Sequence, residues 1–188
     1  MRRIATTAIL LIGLHIWILK PIIVYTEVMG IAESTEAPMA VIKHVVPIYD
    51  IGLSEEWSKL VWEECQARDV EYELALAVMM VENRGFNPSL ISGTNDYGLF
   101  QVNKVNHKRM AELGYTNMLD AEDNIRAGVY ILSECLSTSD SYTEALMVYN
   151  MGRGGANRAM AKGIYNTKYS DKVMSYYYDL KGDIYGKI

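Results

Sequence analysis

Leu74-Ala75-Leu76-Ala77-Val78-Met79-Met80-Val81-Glu82 is a run of nine residues with a single polar side chain, and that side chain comes last. Leucine, alanine and methionine are strong helix formers, so the run reads as a mostly apolar helix. The residues after it, Asn83-Arg84-Gly85-Phe86-Asn87-Pro88, form a short loop. A carboxylate at the end of such a helix is expensive to desolvate unless it is paired or protonated. Burial favours the neutral acid and raises its pKa. A carboxylic acid that holds its proton near neutral pH can donate it to a leaving oxygen. On the helix alone the plainer reading of Glu82 is a solvated acid at a helix C-terminus; the segments that follow reverse that preference.

Working outward, Ser54 is a good N-cap before Glu55 and Glu56, and Trp57, Leu60, Val61 and Cys65 recur at helical spacing until Asp69-Val70 interrupts. Downstream, residues 106–113 read as a short polar helix closed by Gly114. Asp120 caps a helix with Ile125, Val129, Leu132, Cys135 and Leu136 on one face. Ser141-Tyr142-Thr143-Glu144 is a capping box ahead of a helix over 145–150, and a tyrosine-rich last helix covers 168–180. No period-two strand stands out apart from short pairing near residues 91–102. The expected class is all-α or nearly so, with helices packed around the one that ends at Glu82.

The chain has 188 residues, enough for one domain and a leader. Its first 32 residues contain Arg2, Arg3 and Lys20 against Glu27; removing them leaves 15 basic and 22 acidic residues, net −7. That charge argues against nucleic acid as a partner and against charge-driven adhesion to anionic surfaces. Arg2-Arg3 precedes sixteen uncharged, largely apolar residues, Ile4 to Leu19, the pattern of a segment directed across the cytoplasmic membrane. Gly30-Ile31-Ala32 offers small residues for cleavage, yet the apolar run approaches the length needed to span. Residues 1–32 are therefore a signal peptide or a membrane anchor, with a lean to the anchor. Residues 33–51, with Pro38 and Pro47, read as a linker, and 52–188 as the working domain, outside the cytoplasm on either alternative. His15, His44 and His107 lack metal-ligand spacing, and no metal or other cofactor is expected. Cys65 and Cys135 can pair outside the cytoplasm, but each sits at an apolar helical position, where a buried free thiol is the commoner outcome.

Five segments then follow in a distinctive order. Glu82 precedes Phe86-Asn87-Pro88. Next come Gly98-Leu99-Phe100-Gln101-Val102-Asn103 and Asp123-Asn124-Ile125-Arg126-Ala127-Gly128-Val129-Tyr130. Ala145-Leu146-Met147-Val148-Tyr149-Asn150-Met151-Gly152 follows, and Tyr169-Ser170-Asp171 ends the series. Together they resemble the soluble lytic transglycosylase (SLT) family, relatives of goose-type lysozyme, over roughly residues 60–177. The chain departs from the family pattern at Asn83, where serine is usual, by one extra residue before Phe86, and at Phe100, where methionine is usual.

The resemblance implies a lysozyme-like helical domain that binds peptidoglycan glycan strands, with Glu82 as the single general acid and base. It places Ser92, Gly98, Phe100, Gln101, Tyr149, Asn150 and Tyr169 at the substrate. Glu82 would protonate the oxygen between N-acetylmuramic acid and N-acetylglucosamine. The C6 hydroxyl of the same sugar would then close a 1,6-anhydro ring without water. For several of these residues the chemistry is plain beside the resemblance. Gly98 lets backbone approach a ligand or a neighbouring helix, Gln101 suits an N-acetyl group or hydroxyls, and Tyr149 can back the acid. Leu99, Asn124, Gly128 and Tyr130 read as structural. Asp96 is the candidate second carboxylate, although a turn or cap acid is its simpler role; were it to face Glu82, lysozyme-type hydrolysis becomes the alternative. The altered loop after Glu82 leaves a non-catalytic wall-binding domain as a further alternative.

Overall fold

The computed structural model describes residues 46–182, and the expected targeting segment with most of the linker lies outside them. Helix α2 (Tyr72–Glu82) is deeply buried: Leu74 to Met79 are all without solvent exposure. The other long helices are α1 (Glu55–Ala67), α4 (Ala121–Ser137), α5 (Tyr142–Met160) and α6 (Lys168–Lys181). Helix α2 packs on α6 and α1, α1 on α4, α4 on α5, and α5 on α6, which closes a ring of helices. The remaining pieces are small. Strands β1 (Asp96–Tyr97) and β2 (Val102–Asn103) pair antiparallel, Asp96 opposite Asn103, with a bridge from Ile91 to Tyr97. A 3-10 turn (Lys104–Asn106) leads into the short α3 (His107–Glu112), and Gly114 (φ 96°) follows it.

The caps explain where most helices begin. Ser54 accepts from the Trp57 amide, Asp120 from that of Asp123 and Ser141 from that of Glu144. Each satisfies one of the amides that a helix start leaves open. Only half of the expected capping box forms, because the Glu144 carboxylate receives the Asp140 amide instead of that of Ser141. A reciprocal box does form at Thr167 and Ser170, at the start of α6. Helix α5 also continues past the expected 145–150 to Met160, through a kink at Gly152 (φ 70°, ψ 161°) that a side chain would oppose. Cys65 and Cys135 are separate buried free thiols, and burial pushes their pKa values to about 12 and about 11.

Two close approaches tie the small sheet to α4. A Cβ on Gly128 would stand 2.1 Å from Phe100 Cγ, so the missing side chain is what lets the buried ring lie against the helix. Gly128→Ala is expected to destabilise by about 1–3 kcal/mol or more through overpacking. Urea unfolding measures it, and the double variant with Phe100→Leu should lose less than the sum of the two single changes. The second approach is Gly98 (φ 74°), where a Cβ would meet Asn124 Nδ2 at 2.4 Å and the Met118 carbonyl at 2.7 Å.

Candidate functional site

Helix α2 ends at Glu82, and its cap, Asn83, is buried. The Asn83 amide group donates to the carbonyls of Asn87 (2.6 Å) and Gly98 (3.0 Å), while its oxygen accepts from the Asn87 amide (3.1 Å). The residue that departs from the family serine therefore fastens the altered loop to the sheet segment. Phe86, at φ 46°, turns into the core, and Gly85 has open space around it. Helix α2 runs without a break to Glu82, and the turn at Gly85–Phe86 lies in the loop after it.

Glu82 stands in a groove of about 800 Å³. One wall is the sheet and the turn after it, with Asp96, Gln101, Asn103, Val105 and Asn106. The other is the kinked α5, with Tyr149 to Arg153, and Arg109 and Glu134 also line the groove. Burial raises the Glu82 pKa to about 7; the hydrogen bond from Tyr169 opposes that rise and the charge of Asp96 adds to it. The Tyr169 hydroxyl donates to Glu82 Oε1 at 2.6 Å. Burial and the Glu82 charge hold the Tyr169 and Tyr149 hydroxyls well above the usual tyrosine pKa, so both stay protonated donors. Tyr149 spends its proton elsewhere, on the Phe100 carbonyl at 2.8 Å. The hydroxyl on the acid thus comes from Tyr169, and Tyr149 fixes the Phe100–Gln101 turn.

Asp96 is the opposite case. Burial disfavours its charge, but hydrogen bonds from Thr94, Asn103 (2.6 Å) and Ser92 (2.8 Å) outweigh that and hold its pKa below the usual carboxylate range. It is both the turn acid and a groove-lining carboxylate. Gln101, at φ 47°, donates its Nε2 to the carbonyls of Gly98 (2.8 Å) and Leu90 (3.5 Å), which leaves Oε1 as the atom it can offer a ligand.

Of the residues expected at the substrate, Glu82, Asp96, Gln101, Tyr149 and Asn150 line the groove, and Tyr169 reaches it through Glu82. Ser92, Gly98 and Phe100 do not line it. Ser92 is engaged with Asp96, Gly98 packs on Asn124, and Phe100 is fully buried against Gly128. The sequence reading missed Val105, Arg109, Glu134 and Arg153. Gly152, followed by Gly154 and Gly155, was the available signal that α5 bends into the groove.

The family model described as the transglycosylase SLT domain matches residues 59–171. The chain belongs to this family. Among individual proteins, this SLT domain is similar to invasion protein IagB of Salmonella typhimurium, with 24% identity over 145 residues that cover 73% of this chain and 87% of that protein. Two solved structures share its fold. They are an inactive mutant of the lytic transglycosylase Slt from Pseudomonas aeruginosa (TM-score 0.58, 18% identity) and the 70 kDa soluble lytic transglycosylase of Escherichia coli (TM-score 0.59, 19% identity). Each alignment covers 71% of this chain but only 25% of the solved one, so the SLT domain corresponds to about a quarter of those larger proteins.

Proposed function

We propose that this SLT domain is a peptidoglycan lytic transglycosylase, which cleaves between N-acetylmuramic acid and N-acetylglucosamine and leaves a 1,6-anhydro end. The observation that carries the reading is Glu82: an acid at a helix tip in a sugar-sized groove, with a pKa of about 7 and a tyrosine hydroxyl on one oxygen. At neutral pH a large share of such a group is protonated and can be given to the glycosidic oxygen. The carboxylate left behind, steadied by Tyr169, can take the C6 hydroxyl proton as that oxygen attacks C1. A tethered nucleophile of this kind reaches effective molarities of roughly 10⁵ M or more, which is how it outruns water. Such an enzyme works outside the cytoplasm, in keeping with the expected targeting segment.

A second reading has a specific observation behind it. Asp96 lines the same groove in its ionised form while Glu82 is pushed toward the neutral one, and two carboxyls with pKa values driven apart are the pattern of acid plus charge-stabilising partner. That pair supports lysozyme-type hydrolysis. Mass analysis of the fragments released from purified peptidoglycan separates the two: anhydro ends support the lyase, and ends heavier by one water assign hydrolysis. Release of no soluble fragment, with binding retained, would leave a wall-binding domain.

Tyr169→Phe tests the assignment of the acid through pH. The acid must be protonated, so kcat/KM should fall as pH rises through about 7. The Tyr169 hydrogen bond lowers the Glu82 pKa, so its removal should move that falling limb to higher pH. A limb that stays put would mean that another group sets it.

A further inference from the structure

Two guanidinium groups stand among the described residues that line the groove, and they differ in what they have left to give. Arg153 is committed. Its Nη1 donates to Glu144 at 2.7 Å, and its Nη2 serves the Thr138 carbonyl (2.6 Å), the Thr138 hydroxyl (2.6 Å) and the Ser139 hydroxyl (3.1 Å). It straps the second half of α5 to the turn before it. Arg109 uses Nη1 alone, which donates to both oxygens of Glu134 at 2.7 and 2.5 Å. Its guanidinium also lies over the Tyr130 ring, 5.7 Å from the centroid. No described residue accepts from its Nε or Nη2, and its side chain is 43% exposed.

Nε and Nη2 form one edge of the guanidinium plane, and that edge matches the two oxygens of a carboxylate. Glu134 and Tyr130 hold the plane, so little side-chain freedom is lost when the edge is used. A neutral hydroxyl or acetamide needs no such fork, and the groove already supplies Gln101, Asn103, Asn106 and Asn150 for those. An acidic ligand would also have to enter a groove that contains Asp96 and Glu134, in a domain of net negative charge. Of the two guanidinium groups among the described lining residues, Arg109 is the one whose whole Nε–Nη2 edge is free to offset that repulsion, because Arg153 uses its Nη2 on Thr138 and Ser139.

We infer that Arg109 is a specificity residue that receives a carboxylate on the acidic arm of N-acetylmuramic acid, so that the groove prefers muramic-acid strands to uncharged polymers of N-acetylglucosamine. The inference rests on the peptidoglycan reading above. The carboxylate has two sources, the lactyl group itself in a peptide-free strand or the peptide stem attached to it.

The test is calorimetric binding to full-length Glu82→Gln protein, which keeps the glycan whole. Three probes are used: a peptide-free strand of alternating N-acetylglucosamine and N-acetylmuramic acid, the same strand with peptide stems, and a chitooligosaccharide of equal length. Adding Arg109→Gln should weaken binding to an acidic strand about ten-fold, as loss of a charged hydrogen bond implies, and change chitooligosaccharide binding less than about two-fold. Arg109→Lys keeps a cation for Glu134 but no fork, and should lose most of the same preference. A loss on the peptide-free strand assigns the lactyl carboxylate, and a loss confined to the peptide-bearing strand assigns the stem. Equal losses on all three probes would make Arg109 merely structural, and no loss on either acidic strand would also overturn the inference. If Glu82→Gln protein binds none of the probes, the peptidoglycan reading itself falls and takes this inference with it.

Discussion

Glu82→Gln is expected to lower glycan cleavage by about 10³-fold or more, within the range that general acid–base catalysis supplies, and to make the protein more stable above neutral pH. The amide is nearly the same size as the acid and keeps an oxygen to accept the Tyr169 hydroxyl, so the groove should persist. What it lacks is a transferable proton. The stability gain follows from linkage. Below about pH 4.5 the native side chain is neutral whether the chain is folded or not, so wild type and variant should match. As pH rises from 4.5 through about 7, the unfolded chain releases a proton that the folded one retains, and folded wild type loses ground. Above that window the deficit is roughly 3 kcal/mol, and glutamine does not incur it. Thermal melts at pH 4 and pH 8, run beside a muropeptide-release assay, give both numbers. An active Glu82→Gln protein would remove Glu82 from the chemistry, and equal melting temperatures at pH 8 would show that the acid is not desolvated as the fold implies. A stability cost concentrated at one side chain is what a site selected for proton transfer should show.

The second large effect is expected away from the groove, at Asn124. This side chain is fully buried on α4 and makes three hydrogen bonds to backbone. Its oxygen accepts from the Phe100 amide at 2.8 Å, and its Nδ2 donates to the carbonyls of Tyr97 (2.8 Å) and Met118 (2.9 Å). It therefore moors both the sheet segment that leads to Gln101 and the loop before α4. Asn124→Leu keeps similar bulk but leaves those three backbone groups without partners, each at about 1–3 kcal/mol. The sum, roughly 4 kcal/mol or more, is a large part of the 5–15 kcal/mol that holds an ordinary domain together. The variant should unfold at much lower urea concentration and melt roughly 10 °C or more below wild type. Asn124→Asp should fail in a different way, since an ionised oxygen would face the Tyr97 and Met118 carbonyls, and acid should partly restore it. Full stability of Asn124→Leu in urea would show that water replaces the side chain and that the mooring is dispensable.

These two positions mark how much of the molecule can be read from its residues in order. The helix ending at Glu82 was legible because nine consecutive side chains state its polarity and its end. The starts of α1, α4 and α5 were legible because Ser54, Asp120 and Ser141 act on amides three residues away. Asn124 and Gly128 could be read as structural, but not what they hold: Phe100 lies 24 and 28 positions before them. The continuation of α5 beyond Gly152 was missed because glycine signals a break, whereas the helix there bends and resumes under the strap of Arg153. Ser92, Gly98 and Phe100 were expected at the substrate through the family resemblance. In the fold Ser92 donates to Asp96, Gly98 packs on Asn124 and Phe100 is buried against Gly128, partners that lie up to 28 positions away.

The residue order alone determined the mostly helical class, the buried helix that ends at Glu82 and most helix starts, because each depends on side chains within a few positions of one another. Tertiary structure decided the rest: that Tyr169 rather than Tyr149 holds the acid, that Asp96 shares its groove, and that Arg109 stands there with a fork to spare. Those facts depend on groups brought together from positions up to 87 residues apart, and only packing sets the distances, the desolvation and the hydrogen-bond partners that make them chemistry.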